Sequence, residues 1–544
     1  MQSRPAGGRR RRIIYNNDGD DLAIVAYRDS EGSETKISSE HPYPHRYQSV
    51  DEFLGKRMKG KIDGTQVDSI FYCGFAGEPN WEFPSKNLSA LGPDPLKHVV
   101  DYAHENGMEF VYSLRMNDIH HAVHTGSYRW SPFRRKNLHL LQGNVDGKWF
   151  DRKVWPWARG LTGLYPEYEH PLAEVLENEG HLLVPGAARS DRSFPLTHPM
   201  PSDFRAWAAY DYAHTEVQDY ILQVVERACE RYDLDGIEFD WGNTPVFKAG
   251  VERRNAPVMT DFVCRVRQYL NARGQERGRP ILLATRVPAS PVQSLAAGLD
   301  AETWIREGWV DILVAGFGNE PFSFPLADWV RVGHESGVQV YGCINNDGLF
   351  GSKPEATRAT ASRYWSEGVD GIYLYNHFYE DTHVHGDSKQ QFLPEYIGPV
   401  LPQDTLHDIG DPDRLERQDK LYRVDVYGPS PQLPLAFANR GGPTPARLRL
   451  EIADQPEKAA RVTVQTKWKS RVDSRRATWR LNGESLSNPR PIVPDGDGEG
   501  WIEFETNALN NGVNTFEVTV QPPNKGTPPG PLVLQQLQVS ITYS

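Results

Sequence analysis

Asp235-Gly-Ile-Glu-Phe-Asp-Trp241 is a short apolar run that ends abruptly in charge, and it follows an amphipathic stretch from about Asp211 to Arg231. It reads as a buried strand of a barrel. Strand alternation sets Ile237 and Phe239 on one face and Glu238 and Asp240 on the other. Two carboxylates on an inner face, with an indole at the exit, cost free energy unless they are used or paired. Two readings stand side by side: a catalytic pair, or an ion pair with an inward Arg and no chemistry.

Working outward, eight short apolar runs alternate with helical patterns. They span Arg12 to Asn17, Ser69 to Phe75, Glu109 to Arg115, Gly236 to Asp240, Ile281 to Arg286, Ile312 to Phe317, Val338 to Asn345 and Gly371 to Asn376. Helical stretches such as Leu96 to Glu105, Thr260 to Arg273 and Pro354 to Glu367 lie between them. Near-continuous apolar strands separated by helices are the pattern of a parallel sheet covered on both faces, and eight of them predict a (β/α)8 TIM barrel over residues 11–405. A long insertion near 119–207 carries Trp130, Trp149, Trp155 and Trp157 and is expected to form much of a cleft wall.

Residues 1–10 read as a disordered leader containing part of the basic run Arg9 to Arg12. Residues 406–420 form a charged connector, and from 421 to 544 period-two strands separated by turns such as Asn510-Asn-Gly512 predict a β-sandwich. Its Trp468, Trp479 and Trp501 fall within predicted strands and are expected in its core.

At 544 residues the chain has room for two or three domains. Its mixed charges and net charge of -12 give no support for a general nucleic-acid footprint. No stretch reaches the apolar length of a membrane helix, and the N-terminus lacks the apolar run of a secretory signal; the expectation is a soluble protein, periplasmic or secreted if a signal has been removed. Cys73, Cys229, Cys264 and Cys343 sit in strand or helix patterns, too far apart for a Cys-x-x-Cys site, and read as free thiols. No nucleotide-binding glycine pattern is present, so no cofactor is expected. His383-Val-His385-Gly-Asp387 has a metal-like spacing but supplies too few converging groups, and no metal is expected.

In a barrel of this kind the active face lies at the C-terminal strand ends. Here these ends are polar: Tyr15-Asn-Asn-Asp18, Arg115-Met-Asn-Asp-Ile-His120, Arg286, Asn319-Glu320, Asn345-Asn346 and Asn376-His377. The Arg-Met-Asn-Asp-x-His and Asp-Gly-Ile-x-Phe-Asp pieces resemble bacterial glycoside hydrolase-like barrel proteins, distantly related to family 10, over roughly Arg12 to Glu380. The resemblance implies a carbohydrate-active barrel without fixing a substrate. The match to family 18 chitinases is partial, because Gly242 stands where their acid follows the Trp, and the Asn-Glu pair of family 10 xylanases after the fourth strand is absent.

Glycoside hydrolysis needs a carboxylic acid to protonate the leaving oxygen and a carboxylate to attack or activate water. Asp240 is the preferred nucleophile or base, since the last acidic group of the fourth strand resembles the nucleophile position of several α-acting barrel families. Glu320 is the preferred acid. Glu238 lies one pleat deeper, about 6.6 to 6.8 Å from Asp240 between Cα atoms.

Asp18, Arg115, Asn117, Asp118, His120, Asn345, Asn346 and Asn376 are candidate sugar-binding residues, and Trp241 and Tyr375 candidate stacking platforms. Arg115 and Arg286, with Arg129, Arg134, Arg135 and Arg152 of the insertion, suit an anionic or sulfated glycan; alternatively they neutralise the carboxylates. The expected activity is hydrolysis of a poly- or oligosaccharide. The rival expectations are a barrel that binds glycan without cleaving it, and a polysaccharide lyase with a Tyr, His or Lys base near an Arg.

Overall fold

The computed structural model describes residues 9–17, 19, 49–59, 62–73, 91–92, 94–117, 131–142, 144–145, 148–149, 209–242, 245–248, 250–316, 322, 324–345, 354–375, 403–424, 432–437, 444–469, 476–492, 500–521 and 532–543. Eight parallel strands close into a barrel: β1 Ile13–Asn17, β2 Val67–Cys73, β3 Glu109–Arg115, β4 Gly236–Asp240, β5 Leu282–Val287, β6 Ile312–Ala315, β7 Gln339–Asn345 and β8 Gly371–Tyr375. Each pairs with the next, and β8 returns to β1.

The helices explain why the strands are buried on both sides. Helix α1 is Val50–Arg57, α2 Pro95–Glu105, α3 Thr215–Arg231, α4 Glu252–Glu276, α5 Pro291–Ala296, α6 Ala301–Arg306, α7 Ala327–Glu335 and α8 Pro354–Ser366. In α3 the spacing of Val217, Ile221, Val224, Val225 and Ala228 makes one apolar stripe, and all five are buried. The outward-facing strand residues, Ile237 and Phe239 among them, join this stripe in one large core. The inward-facing residues form a second cluster inside the barrel, with Ile14, Phe71, Val111, Ala284, Ile312, Val314, Tyr341, Cys343 and Tyr373.

At the N-terminal end the interior is closed by polar groups rather than apolar ones. Arg11 grips Glu109 with Nε at 2.5 Å and Nη2 at 2.9 Å and donates to Gln339 Oε1 at 2.6 Å, while Ser69 Oγ donates to Glu109 at 2.7 Å. Here ionic charge is paired and satisfied, the condition under which burial is tolerated. The opposite, C-terminal end carries the residues of interest.

Beyond the barrel, two antiparallel sheets form a sandwich. One is built from β9 Lys420–Arg423, β10 Leu435–Phe437, β12 Arg461–Trp468, β15 Arg490–Ile492, β16 Gly500–Glu505 and β18 Leu532–Thr542; the other from β11 Thr444–Ile452, β13 Ala477–Leu481, β14 Glu484–Ser485 and β17 Gly512–Val520. Trp468 and Trp479 enter the sandwich core as expected. Trp501 does not: it is half-buried and out of phase with the inward Ile502 and Phe504, so alternation turns it outward beside Lys467.

Candidate functional site

The strand register brings three charged residues into one row at the C-terminal end of the barrel. Asp240 is flanked by Arg115 on β3 and by Arg286 on β5. The row beneath it holds Ser113, Glu238 and Ala284. All point inward, because period two places them in phase with the interior residues Val111 and Ala284.

Only one of the two arginines contacts Asp240. Arg286 Nη2 donates to Asp240 Oδ1 at 2.5 Å, with both side chains almost wholly excluded from solvent. Arg286 Nη1 donates to the Gly316 carbonyl at 3.2 Å, and its guanidinium lies over the Tyr375 ring, 3.9 Å from the centroid. Burial disfavours the guanidinium's charge, and Asp240, with Tyr375, Cys343 and Tyr373, more than offsets it, so the Arg286 pKa stands above its ordinary value.

Asp240 Oδ1 also accepts the Gly242 backbone N–H at 2.9 Å. Both hydrogen bonds fall on Oδ1, and among the described residues Oδ2 receives none. The backbone that shapes this grip needs glycine twice. Gly242 has φ 52° and Gly316 φ 112°, where a side chain would be strained. The position at which chitinases carry an acid thus serves here as a turn that supplies a backbone donor.

Glu238, one pleat deeper, is fully buried. Tyr373 donates its phenol proton to Glu238 Oε2 at 3.0 Å, while Oε1 has no hydrogen-bond partner among the described residues. Burial first, and the like charge of Asp240 second, push the Glu238 carboxyl up to about 7, against the opposing influence of Ser113, Arg286 and Tyr373. Ser113 lies close enough to favour the charged form, although among the described residues its Oγ makes no hydrogen bond of ordinary geometry. Burial and the Glu238 charge also hold the Tyr373 phenol well above its usual range.

Tyr375 stands in the mouth between the two arginines. Its hydroxyl accepts from Arg115 Nη2 at 3.0 Å, with the Arg115 guanidinium 5.7 Å from the ring centroid. It is half-buried, and one of its faces is occupied by Arg286.

Other residues expected in the site lie elsewhere. Trp241 faces outward, 1% exposed, against Tyr212, Phe239 and Trp304, with Nε1 donating to Thr285 Oγ1 at 2.9 Å. It is a core residue with no face open to a sugar. Asn117 is 3% exposed: its amide donates to the Tyr210 and Pro245 carbonyls at 3.0 and 2.8 Å, and its oxygen accepts the Tyr210 N–H at 2.8 Å. It staples the chain returning at Tyr210 to the segment following β4.

Arg134 is buried over the Tyr210 ring, 4.5 Å from the centroid. Asn345 ends β7 beside Tyr375 in the register. Asp18, Asp118, His120, Glu320, Asn346 and Asn376 lie outside the described residues, as do Arg129, Arg152 and the His383 to Asp387 segment.

Three contributors escaped the sequence reading: Tyr373, Ser113 and Gly316. The signal for the first two was available, since counting back two from Tyr375 and from Arg115 reaches the pleat that Glu238 occupies. The Gly316 carbonyl offers no such signal. Among the described residues no group of three His, Cys, Asp or Glu side chains converges to hold a metal ion, and no helix is long and apolar enough to cross a membrane.

No protein-family model matches the chain, and no curated protein matches it in sequence. Solved structures to which it is similar include three carbohydrate-active proteins. One is a Paenibacillus cycloisomaltooligosaccharide glucanotransferase complexed with cycloisomaltoheptaose (9% identity, TM-score 0.31, covering 96% of this chain and 57% of that one). The second is the endo-beta-1,4-mannanase from Thermotoga petrophila (10%, 0.39, 87% and 91%). The third is the PgaB (BpsB) glycoside hydrolase domain from Bordetella bronchiseptica (10%, 0.38, 68% and 94%). The chain spans little more than half the length of the first of these. At such identities and TM-scores the likeness carries no argument about activity, and the barrel rests on the closed eight-strand sheet itself.

Proposed function

We propose that this chain is a glycoside hydrolase acting on a poly- or oligosaccharide, with Asp240 as the nucleophile or base. One observation carries the reading. Asp240 ends a strand at the face where barrels build active sites, its Oδ1 is clamped by Arg286 and the Gly242 N–H, and its Oδ2 receives no hydrogen bond among the described residues. A carboxylate oriented through one oxygen, with the other unengaged, is prepared to attack an anomeric carbon or take a proton from water. Glu320, after β6, is the proposed acid; Glu238 is fully enclosed, one pleat deeper than Asp240.

For an anionic or sulfated substrate the support is narrower than the count of arginines suggests. Arg286 is engaged by Asp240, the Gly316 carbonyl and the Tyr375 ring, so among the described arginines Arg115 at the rim, which also donates to the Tyr375 hydroxyl, is the proposed anion contact.

A second reading, a polysaccharide lyase, is favoured by the 3.0 Å contact between Arg115 Nη2 and the Tyr375 hydroxyl, an Arg beside a Tyr base. One experiment separates the two. Matched neutral, uronate and sulfated oligosaccharides are incubated with the protein and the products followed by reducing-end assay and ultraviolet absorbance. Hydrolysis yields a new reducing end without unsaturation and is abolished by Asp240→Asn. Elimination yields an absorbing unsaturated product and depends on Tyr375. Neither product from any member, with the glycan nonetheless bound, would leave a binding protein.

A further inference from the structure

Glu238 combines features that a merely structural carboxylate lacks. It is fully buried, its Oε1 has no hydrogen-bond partner among the described residues, and Arg286 on the neighbouring strand donates to Asp240 and to the Gly316 carbonyl. A charged carboxylate so placed would be buried without a partner cation. A neutral acid is far less costly, because Oε2 accepts the Tyr373 phenol and only a hydroxyl remains to be placed. Ser113 Oγ lies in the same register row and, among the described residues, likewise has no hydrogen-bond partner.

We propose that Glu238 is a positioning residue: a buried carboxylic acid that stays protonated beneath Asp240, so that Asp240 is the carboxylate Arg286 pairs with, and whose ionisation draws Arg286 toward itself and misaligns the pair. The inference rests on the hydrolase reading of Asp240. The groups facing Glu238 across the barrel interior are Asp240 on its own strand, Ser113 and Arg115 on β3, Arg286 on β5, Tyr373 and Tyr375 on β8, Cys343 on β7 and Cys73 on β2. Among them Asp240 opposes ionisation of Glu238, while Ser113, Arg286 and the Tyr373 phenol favour it. The transition lies near pH 7, the region to which these opposing influences bring the carboxyl.

The test has two arms. In the first, infrared difference spectra of the wild-type protein and Glu238→Gln are recorded across pH. A protonated-carboxyl band present in the wild type at pH 5, lost through about pH 7 and absent from the variant, is the expected result. A band that has already vanished in the ordinary carboxylate range overturns the proposal. Should Glu238→Gln fail to fold, Tyr373→Phe replaces it. Removing a donor that favours the ionised form moves the midpoint upward, and an unmoved midpoint counts against the assignment.

In the second arm, kcat is compared at acidic and alkaline pH on the natural glycan and on an aryl glycoside with a good leaving group. Glu238→Gln, which mimics the neutral acid, is expected to lose less than about tenfold in kcat at pH 5 to 6 and to lose the alkaline fall near pH 7. A fall of about 10²- to 10⁴-fold on the glycan that the good leaving group rescues would identify Glu238 as the general acid instead and overturn the positioning role. A wild type that hydrolyses no glycan refutes the hydrolase reading, and the infrared arm still decides the protonation of Glu238.

Discussion

Arg286 Nη2 reaches Asp240 Oδ1 at 2.5 Å inside the barrel, and the same guanidinium is stacked 3.9 Å from the centre of the Tyr375 ring. The pair therefore does two things at once. It satisfies a carboxylate that would otherwise be buried alone, and it fixes the direction in which the remaining oxygen of that carboxylate can act.

Removal of Arg286 is expected to be the most damaging single change in the site. Arg286→Ala leaves Asp240 buried without its cation, a situation that costs about 3–5 kcal/mol when a buried pair is broken from one side. Arg286→Lys keeps a charge but loses the fork and the stacking, and is expected to recover only part of the stability. Urea unfolding of the three proteins at pH 7 checks this; equal midpoints would mean that the pair contributes nothing.

Asp240→Asn is expected to lower kcat by about 10²- to 10⁴-fold on the glycan substrate. Stability falls as well, because a neutral amide accepts the Arg286 hydrogen bond more weakly, and a loss on the order of 1–3 kcal/mol follows. Parallel kinetics and denaturant titration separate the effects. A variant with normal turnover would remove Asp240 from the mechanism whatever its stability.

Glu238 makes stability depend on pH in a direction opposite to that of a salt-bridged carboxylate. Its carboxyl is raised in the folded protein from 4.5 to about 7, so the native state holds the proton more tightly than the unfolded chain. The contribution is fully present below the unfolded value and is lost as pH rises through about 7. At about 1.4 kcal/mol per unit, the difference in unfolding free energy between wild type and Glu238→Gln is expected to change by about 3 kcal/mol from pH 4 to pH 8. A difference that stays flat over this range would show that Glu238 titrates alike in both states.

Asn117→Ala tests the staple. Loss of the amide removes the acceptor of the Tyr210 N–H, while the Tyr210 and Pro245 carbonyls keep Gln142 Nε2 as a donor, and a destabilisation of about 1–3 kcal/mol is expected. The accompanying change in KM should be small compared with that of Arg115→Ala, since Asn117 is committed to backbone. A large KM effect with unchanged stability would return Asn117 to the sugar-binding set.

Much of the barrel was legible because its strands are nearly continuous apolar runs. β3 and β4 begin and end at the residues the pattern marks, Glu109 and Arg115, Gly236 and Asp240. β2 starts two residues earlier than expected, at Val67, because Asp68 is drawn into the strand as the partner of Arg12, whose N–H and Nε both donate to Asp68 Oδ2. An Asp reads as a strand end when its partner is distant in the chain. Trp241 misled for a related reason: an indole directly after a catalytic-looking Asp suggests a sugar platform, yet a one-residue step along a strand turns it to the opposite face, into the core.

What the amino-acid sequence determined by itself was the fold class and the face on which each strand residue lies, because both follow from local periodicity. Asp240 and Glu238 were bound to share the barrel interior with Arg115 and Arg286 as soon as the strands were recognised. Which arginine would pair with which carboxylate was not determined locally, since Arg115 and Arg286 flank Asp240 on either side in the register. Tertiary structure made that choice. The Tyr375 hydroxyl engages Arg115 from across the barrel, the Tyr375 ring and the Gly316 carbonyl hold Arg286 toward Asp240, and Glu238, left without a cation of its own, keeps its proton at a higher pH. Each of these preferences is a sum over groups far apart in the chain and close in space, and the resulting burial and charge decide the chemistry.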